Sequence, residues 1–189
     1  MNRPAVFFDR DGTLIDDPGY LNDPEGVRLK PDAIESVRRV AAAGFLAIVV
    51  TNQSGIARGL LTIETYHAIE RRVDALLAQG GARLDAHYFC PHLPDISGPC
   101  PCRKPGTQLF QQAAEQFGID FTRSWWIGDK MRDVEPAVVL GGRGILLASR
   151  VRLDDDVPDR DLIVVTHDLR DAIDLVVKHH GPSRTGESE

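Results

Sequence analysis

The sequence predicts an α/β protein built on a doubly wound, mostly parallel sheet. Three observations carry that expectation. Short β-rich runs alternate with amphipathic helical stretches along the chain. The run FLAIVVT, Phe45 to Thr51, is apolar throughout, as a strand covered on both faces must be. No internal repeat and no Pro/Gly-rich linker divides the chain, so one domain is expected over residues 1–180, with the polar stretch GPSRTGESE (181–189) as a disordered tail.

Taken in order, AVFF (Ala5 to Phe8) reads as a short buried strand. A helix is expected from near Pro31, a good first-turn residue, to Gly44, with Ile34, Val37, Val40 and Ala41 on one face. After the strand Phe45–Thr51, Thr62 can cap a helix whose apolar residues Ile63, Tyr66, Ile69, Val73, Leu76 and Leu77 recur at helical spacing until Gly80-Gly81. AHYFC gives a third strand, Thr107 to Phe117 a helix stopped by Gly118, and SWWIGD a fourth strand. A further helix follows Asp133, RGILLAS and LIVVT supply two more strands, and the last helix runs from about His167 to His180. The adjacent pair Trp125-Trp126 should point to opposite faces of its strand and pack in the core.

The balance of 22 basic against 28 acidic residues, −6 formally, disfavours binding to nucleic acid or anionic membranes through the overall field. No apolar run reaches the ~18 residues of a membrane helix. The amino terminus lacks signal-peptide character, so a cytoplasmic protein is expected. Three cysteines is an odd number, which argues against a disulfide framework.

In doubly wound folds reactive groups gather at the carboxyl ends of the strands. The first strand runs into DRDGTLIDD, where Asp9 and Asp11 suit two separate jobs, nucleophile and acid. A solvated Asp-Gly turn is the plain alternative. Thr51 and the backbone N–H of Asn52, where the second strand runs out, could hold a phosphate oxygen or form a simple polar turn. In IGDKMRDVE, Asp129 offers a hard oxygen ligand of the kind Mg²⁺ takes, while Asp133 reads as a helix cap or a second ligand.

DRDGT, VVTN, the Lys of CRKP and GDKMRD together resemble the four ordered motifs of the haloacid dehalogenase (HAD) superfamily phosphatases, across Val6 to Val134. The resemblance implies a HAD-like Rossmannoid core and an aspartyl-phosphate mechanism. Asp9 would attack phosphorus, and Asp11 would protonate the leaving oxygen and then activate water. Mg²⁺ would bind Asp9, Asp129 and the backbone carbonyl of Asp11. Thr51, Asn52 and Lys104 would hold the phosphoryl oxygens. No large insertion interrupts the motifs, so no cap domain is expected.

All three cysteines fall in CPHLPDISGPCPCRKPG, with the spacing Cys-x-His-x₇-Cys-x-Cys. Cys90, His92, Cys100 and Cys102 make a closed Cys₃His set, typical of structural tetrahedral zinc. The loop has little core of its own, so Zn²⁺ would supply its folding energy and place Arg103 and Lys104, which follow the last ligand directly.

DRDGTLxxD, the nearby Gly-Tyr pair, TNQSGIARG and CPH…CxCRKP narrow the resemblance to the heptose bisphosphate phosphatases and the allied histidinol phosphatases. This implies Mg²⁺-dependent removal of the 7-phosphate of D-glycero-D-manno-heptose 1,7-bisphosphate, on a route to bacterial surface polysaccharide, with histidinol phosphate as the alternative substrate. The same resemblance makes Asp17, Gly19, Tyr20, Gln53, Ser54, Arg103 and Lys130 candidates to touch the sugar or its phosphates, Arg103 foremost because a guanidinium fork suits phosphate. Arg58 reads equally well as a solvated charge. A monomer is expected from an uncapped site on one small domain. The acidic run DDDVPDRD, Asp154 to Asp161, lacks regular Ca²⁺-ligand spacing and reads as a surface loop.

Overall fold

A computed structural model describes residues 2–148 and 161–180 of the chain. Six strands, β1 (Ala5–Phe8), β2 (Leu46–Asn52), β3 (Ala86–Cys90), β4 (Trp125–Gly128), β5 (Arg143–Leu147) and β6 (Ile163–Thr166), form one sheet in the order β3-β2-β1-β4-β5-β6. Every neighbouring pair is parallel. The described α-helices are α1 (Ala33–Ala42), α2 (Ser54–Ala57), α3 (Ile63–Gln79), α4 (Pro94–Ser97), α5 (Gln108–Phe117), α6 (Met131–Leu140) and α7 (Leu169–His179).

The pleat of the central strand sorts the core into two layers. Val6 and Phe8 face the layer filled by α1, α3 and α7, where Val37, Val40, Ile69, Val73, Ile173 and Val176 are buried. Ala5 and Phe7 face the other layer, filled by α5 and α6 with Leu109, Phe110, Ala113 and Ala137. Trp125 joins the first layer and Trp126 the second, as alternation on a strand requires. The Trp126 ring centroid lies 4.8 Å from that of Phe7 and 5.7 Å from that of Phe110.

Strand order reverses direction at β1, which is flanked by β2 on one side and β4 on the other. Such a switch point opens a crevice at the carboxyl ends of the strands. Asp9 and Asp129 sit there, one residue past the ends of β1 and β4, with Thr51 one residue before the end of β2.

The sequence-based elements match closely, with local differences. AHYFC is β3 residue for residue, and Thr62 caps α3 by accepting from the Thr65 N–H. Helix α1 begins at Ala33 rather than at Pro31. The helix expected after Asp133 begins earlier, at Met131, with extended Lys130 as its cap residue. Asp133 is therefore a first-turn residue and not the N-cap; its Oδ2 accepts from the Lys130 N–H at 3.1 Å and closes the turn from inside. The single-turn helices α2 and α4 lie in segments whose sequence shows no helical period. Of the acidic run 154–161 only Asp161 lies within the described residues, and the tail 181–189 lies outside them. Among the described residues no helix is long and apolar enough to cross a membrane.

Candidate active site

A cavity of about 270 Å³ opens at the switch point, lined by Asp9, Asp11, Thr51, Asn52, Gln53 and Asp133, with Asp17, Gly19, Tyr20, Ser54, Lys130 and Arg132 toward its mouth. Asp9 follows β1, and its N–H donates to the Ile127 carbonyl of β4 at 2.9 Å, which ties the first motif to the fourth. The next turn reverses the chain at Gly12, whose φ is +85°. A Cβ there would also come within 2.5 Å of Asp129 Oδ2, so only glycine lets the two motifs approach this closely.

Lys104 is buried at the floor of the site. Its ammonium donates to Asp9 Oδ1 at 2.7 Å, to the Val50 carbonyl at 2.6 Å and to Asp133 Oδ1 at 2.8 Å. Burial works against the charged form, but Asp9 and Asp133 outweigh it, and the lysine is held above its ordinary value, protonated. The Asn52 side chain clasps the Lys104 backbone at both ends: Lys104 N–H donates to Oδ1 at 3.0 Å, and Nδ2 donates to the Lys104 carbonyl at 3.1 Å. Asn52 thus contributes a side-chain clamp that its position after a strand did not advertise.

The carboxylates of Asp9, Asp129 and Asp133 offer oxygens within 4.8 Å of one another. Asp133 has both oxygens engaged, one by Lys104 and one by the Lys130 N–H. Asp129 Oδ1 is buried with no hydrogen-bond partner among the described residues. Burial raises the Asp129 pKa, Lys130 opposes that, and the charge of Asp9 adds to it. Three close carboxylates against one buried ammonium leave negative charge uncompensated. An orphaned, hard carboxylate oxygen in such a setting fits a divalent cation.

Asp11 stands beside this cluster. Arg10 Nε and Nη2 donate to its Oδ1 at 3.2 and 3.0 Å, Arg10 Nη2 also donates to Oδ2 at 3.0 Å, and Gln53 Nε2 donates to Oδ2 at 2.7 Å. Burial raises the Asp11 pKa, the guanidinium opposes it, and Asp9 reinforces it. Gln53 also donates to Thr51 Oγ1 at 3.0 Å, so the second motif supports the first.

At the mouth, Lys130 Nζ reaches Asp17 Oδ2 at 3.4 Å, and the Gly19 N–H donates to Asp17 Oδ1 at 2.9 Å. Tyr20 is half exposed and its ring lies against Gly55, where an added Cβ would meet it at 3.1 Å. Arg103 is not brought to the cavity wall. Its Nη1 donates instead to the His92 carbonyl at 3.1 Å, bracing the cysteine loop. Of the two cations behind the last cysteine, Lys104 reaches the carboxylates of the site, although it too lies behind the cavity lining.

In that loop the four donor atoms of Cys90, His92, Cys100 and Cys102 lie within 4.8 Å of one another. Sγ–Sγ separations run from 3.1 Å (Cys90 to Cys102) to 3.6 Å (Cys90 to Cys100), and His92 Nδ1 is 3.2 Å from Cys102 Sγ. These are near the roughly 3.7 Å edge of a tetrahedron with bonds of about 2.3 Å, so the set fits one tetrahedral metal. Burial pushes the Cys90 thiol up, and a bound cation is what would favour its thiolate.

A family model described as HAD-hydrolase-like matches residues 101–172. The D-glycero-beta-D-manno-heptose-1,7-bisphosphate 7-phosphatase of Yersinia pestis is 40% identical over 140 residues, 71% of this chain and 74% of that protein. The chain belongs to the heptose bisphosphate phosphatase family of HAD-like hydrolases. Another member, the D-glycero-D-manno-heptose-1,7-bisphosphate 7-phosphatase of Thermosynechococcus vestitus, is 41% identical over 156 residues, 78% of this chain and 80% of that protein. The crystal structure of the D,D-heptose 1,7-bisphosphate phosphatase from B. bronchiseptica, complexed with magnesium and phosphate, superposes with a TM-score of 0.83 at 28% identity, covering 93% of this chain and 99% of that one.

One residue of this family member's site escaped the sequence reading, as did the pairing of a second. Arg10 sits inside DRDGT, and its one signal was a charge two residues past the end of a four-residue buried strand. Asp133 gave a signal in GDKMRD, but its partner Lys104 lies in another motif, and no local spacing joins them.

Proposed function

We propose that the protein is a Mg²⁺-dependent phosphatase that removes the 7-phosphate of D-glycero-D-manno-heptose 1,7-bisphosphate. The observation that carries this is the buried Lys104 between Asp9 and Asp133, with the unpartnered Asp129 oxygen beside them. This constellation pairs a carboxylate nucleophile with fixed cationic charge at a switch point, as phosphoryl transfer requires. Membership of the heptose bisphosphate phosphatase family supplies the substrate.

Asp9 has one oxygen fixed by Lys104 and attacks phosphorus with the other. The bond from phosphorus to the C7 oxygen breaks, and that oxygen takes a proton from Asp11. Water then attacks the aspartyl-phosphate, giving its proton to the Asp11 carboxylate and releasing phosphate and free Asp9. The Thr51 hydroxyl and the Asn52 N–H receive the phosphoryl oxygens, and the Lys104 ammonium, held by Asp9, Asp133 and the Val50 carbonyl, offsets their charge. Asp9, Asp129 and the Asp11 carbonyl would hold Mg²⁺, which when bound neutralises phosphoryl charge. Lys130, Asp17, Gly19, Tyr20, Gln53 and Ser54 line the path by which the sugar enters. Cys90, His92, Cys100 and Cys102 would hold a structural Zn²⁺ that keeps the strand-to-Lys104 connection rigid.

The test is phosphate release with Mg²⁺ from both anomers of heptose 1,7-bisphosphate, fructose 1,6-bisphosphate and histidinol phosphate, with Asp9→Asn as the blank. A heptose anomer is expected to lead in kcat/KM by at least about a hundredfold, the scale on which positioned polar contacts discriminate. Preference for histidinol phosphate would keep the chemistry and overturn the substrate. Turnover undiminished in Asp9→Asn would overturn the mechanism.

A further inference from the structure

Arg10 is an expensive residue in its position. Its side chain is buried, with 1% of its surface exposed, and Nη1 has no hydrogen-bond partner among the described residues. Burying a guanidinium and leaving one of its N–H groups unmet both cost free energy, and an apolar side chain of similar volume would fill the space more cheaply. The neighbours contribute little compensation: the guanidinium carbon lies 5.4 Å from the centroid of the Tyr66 ring, which is itself backed by Phe89 at 4.1 Å. What the residue obtains is a planar fork on Asp11. Three of the four contacts to that carboxylate come from Arg10 and the fourth from Gln53.

From this geometry we infer that Arg10 is a positioning residue, which sets the plane and reach of the Asp11 carboxyl for proton delivery to the leaving oxygen. The inference rests on the phosphatase reading above and assigns a role within it. A carboxyl on a turn, one residue before Gly12, has freedom about two side-chain torsions. A fork held rigidly from behind by Tyr66 and Phe89 removes that freedom, which is how a proton donor is kept aligned without touching substrate. The fork also holds the carboxylate that remains once the proton has gone, ready for the water-activating step. A lysine could supply the charge but not the plane.

The role predicts a dependence on the leaving group that a merely structural role would not give. A sugar alkoxide cannot leave without a proton, whereas p-nitrophenolate is stable as an anion and can. Both esters share the attack by Asp9, and kcat/KM reports the steps through that first transfer. The experiment compares kcat/KM for heptose 1,7-bisphosphate and p-nitrophenyl phosphate in the parent, Arg10→Met, Arg10→Lys and Asp11→Asn, with folding checked by circular dichroism and thermal unfolding. General acid catalysis is worth about 10²-fold or more, so Arg10→Met should lose about that much on the sugar ester. It should lose under about threefold on the aryl ester and keep its KM, while unfolding earlier than the parent because Asp11 is left without its buried partner. Arg10→Lys should fall with Arg10→Met rather than with the parent. If either Arg10 variant fails to fold, Tyr66→Leu, which loosens the ring behind the fork and lies outside the cavity lining, should show the same ester-selective loss.

Equal losses on the two esters in folded protein, or parent-like rates in Arg10→Lys, overturn the inference and leave the phosphatase reading standing. If the parent splits p-nitrophenyl phosphate but not the heptose ester, the substrate assignment falls, and fructose 1,6-bisphosphate takes the place of the sugar ester in the same comparison. If the parent splits neither kind of ester, the phosphatase reading falls and the inference with it.

Discussion

Lys104 shows how one side chain can be indispensable to a fold that would be cheaper without the whole group. Its ammonium, Asp9 and Asp133 are all nearly inaccessible to solvent. Replacing all three by apolar residues would be close to neutral, but removing only the lysine strands two carboxylates that have Asp129 as a further negative neighbour. Lys104→Met should therefore destabilise the protein by about 3–5 kcal/mol in urea unfolding without divalent cations. Added Mg²⁺ should recover part of the loss, because a cation bound only by the folded form stabilises it by mass action. Activity should stay depressed with or without that recovery. An unchanged urea midpoint would show that the three carboxylates are relieved some other way.

At the scale of elements, the loop from β3 to α5 joins structure to chemistry. Cys90 closes β3, Cys102 is buried against the layer under α5, and Lys104 follows two residues later. Asn52 at the end of β2 then grips the Lys104 backbone. Stripping the Cys₃His site, by chelation or by Cys102→Ser, should lower the thermal midpoint and cut kcat while the far-UV dichroism of the sheet and long helices survives. Zinc content measured alongside should fall from one equivalent toward zero. Full activity with an ordered loop after complete removal would separate the loop from Lys104. Most elements could be read from the sequence because each carries its own period: the unbroken apolar run of β2, the helical recurrence in α3, the Gly118 stop of α5. The start of α6 could not, because Asp133 closes that turn from inside through Lys130 rather than capping it. The single turns α2 and α4 are too short to show a period at all.

Across the whole molecule, the sheet gathers motifs that are far apart in the chain, and legibility followed that division. The places of the candidate reactive groups were readable, since Asp9, Asp11 and Asp129 follow β1 and β4, Thr51 lies near the end of β2, and Lys104 follows the last cysteine of the next loop. Their mutual partners were not: the pairings of Arg10 with Tyr66, Asn52 with Lys104, and Arg103 with the His92 carbonyl join distant or folded-back segments and leave no local pattern. The same gathering concentrates negative charge, so the fold carries its site as an electrostatic load. Burial and Asp9 hold Asp129 above its ordinary pKa of 3.8, which means that ionised Asp129 weakens the fold when no cation is bound. The sign follows from linkage: a carboxyl raised in the folded state contributes stability below pH 3.8, and that contribution is lost as pH rises through its folded value. Asp129→Asn removes the charge and keeps the shape. In the absence of divalent cations it should unfold at a higher temperature than the parent at neutral pH, with the gap closing as both are taken to acid. Mg²⁺ should raise the parent's midpoint and leave the variant's nearly unmoved, and the variant should be inactive. A lower midpoint for Asp129→Asn at neutral pH would mean that Lys130, 3.5 Å from the carboxylate, already offsets the load.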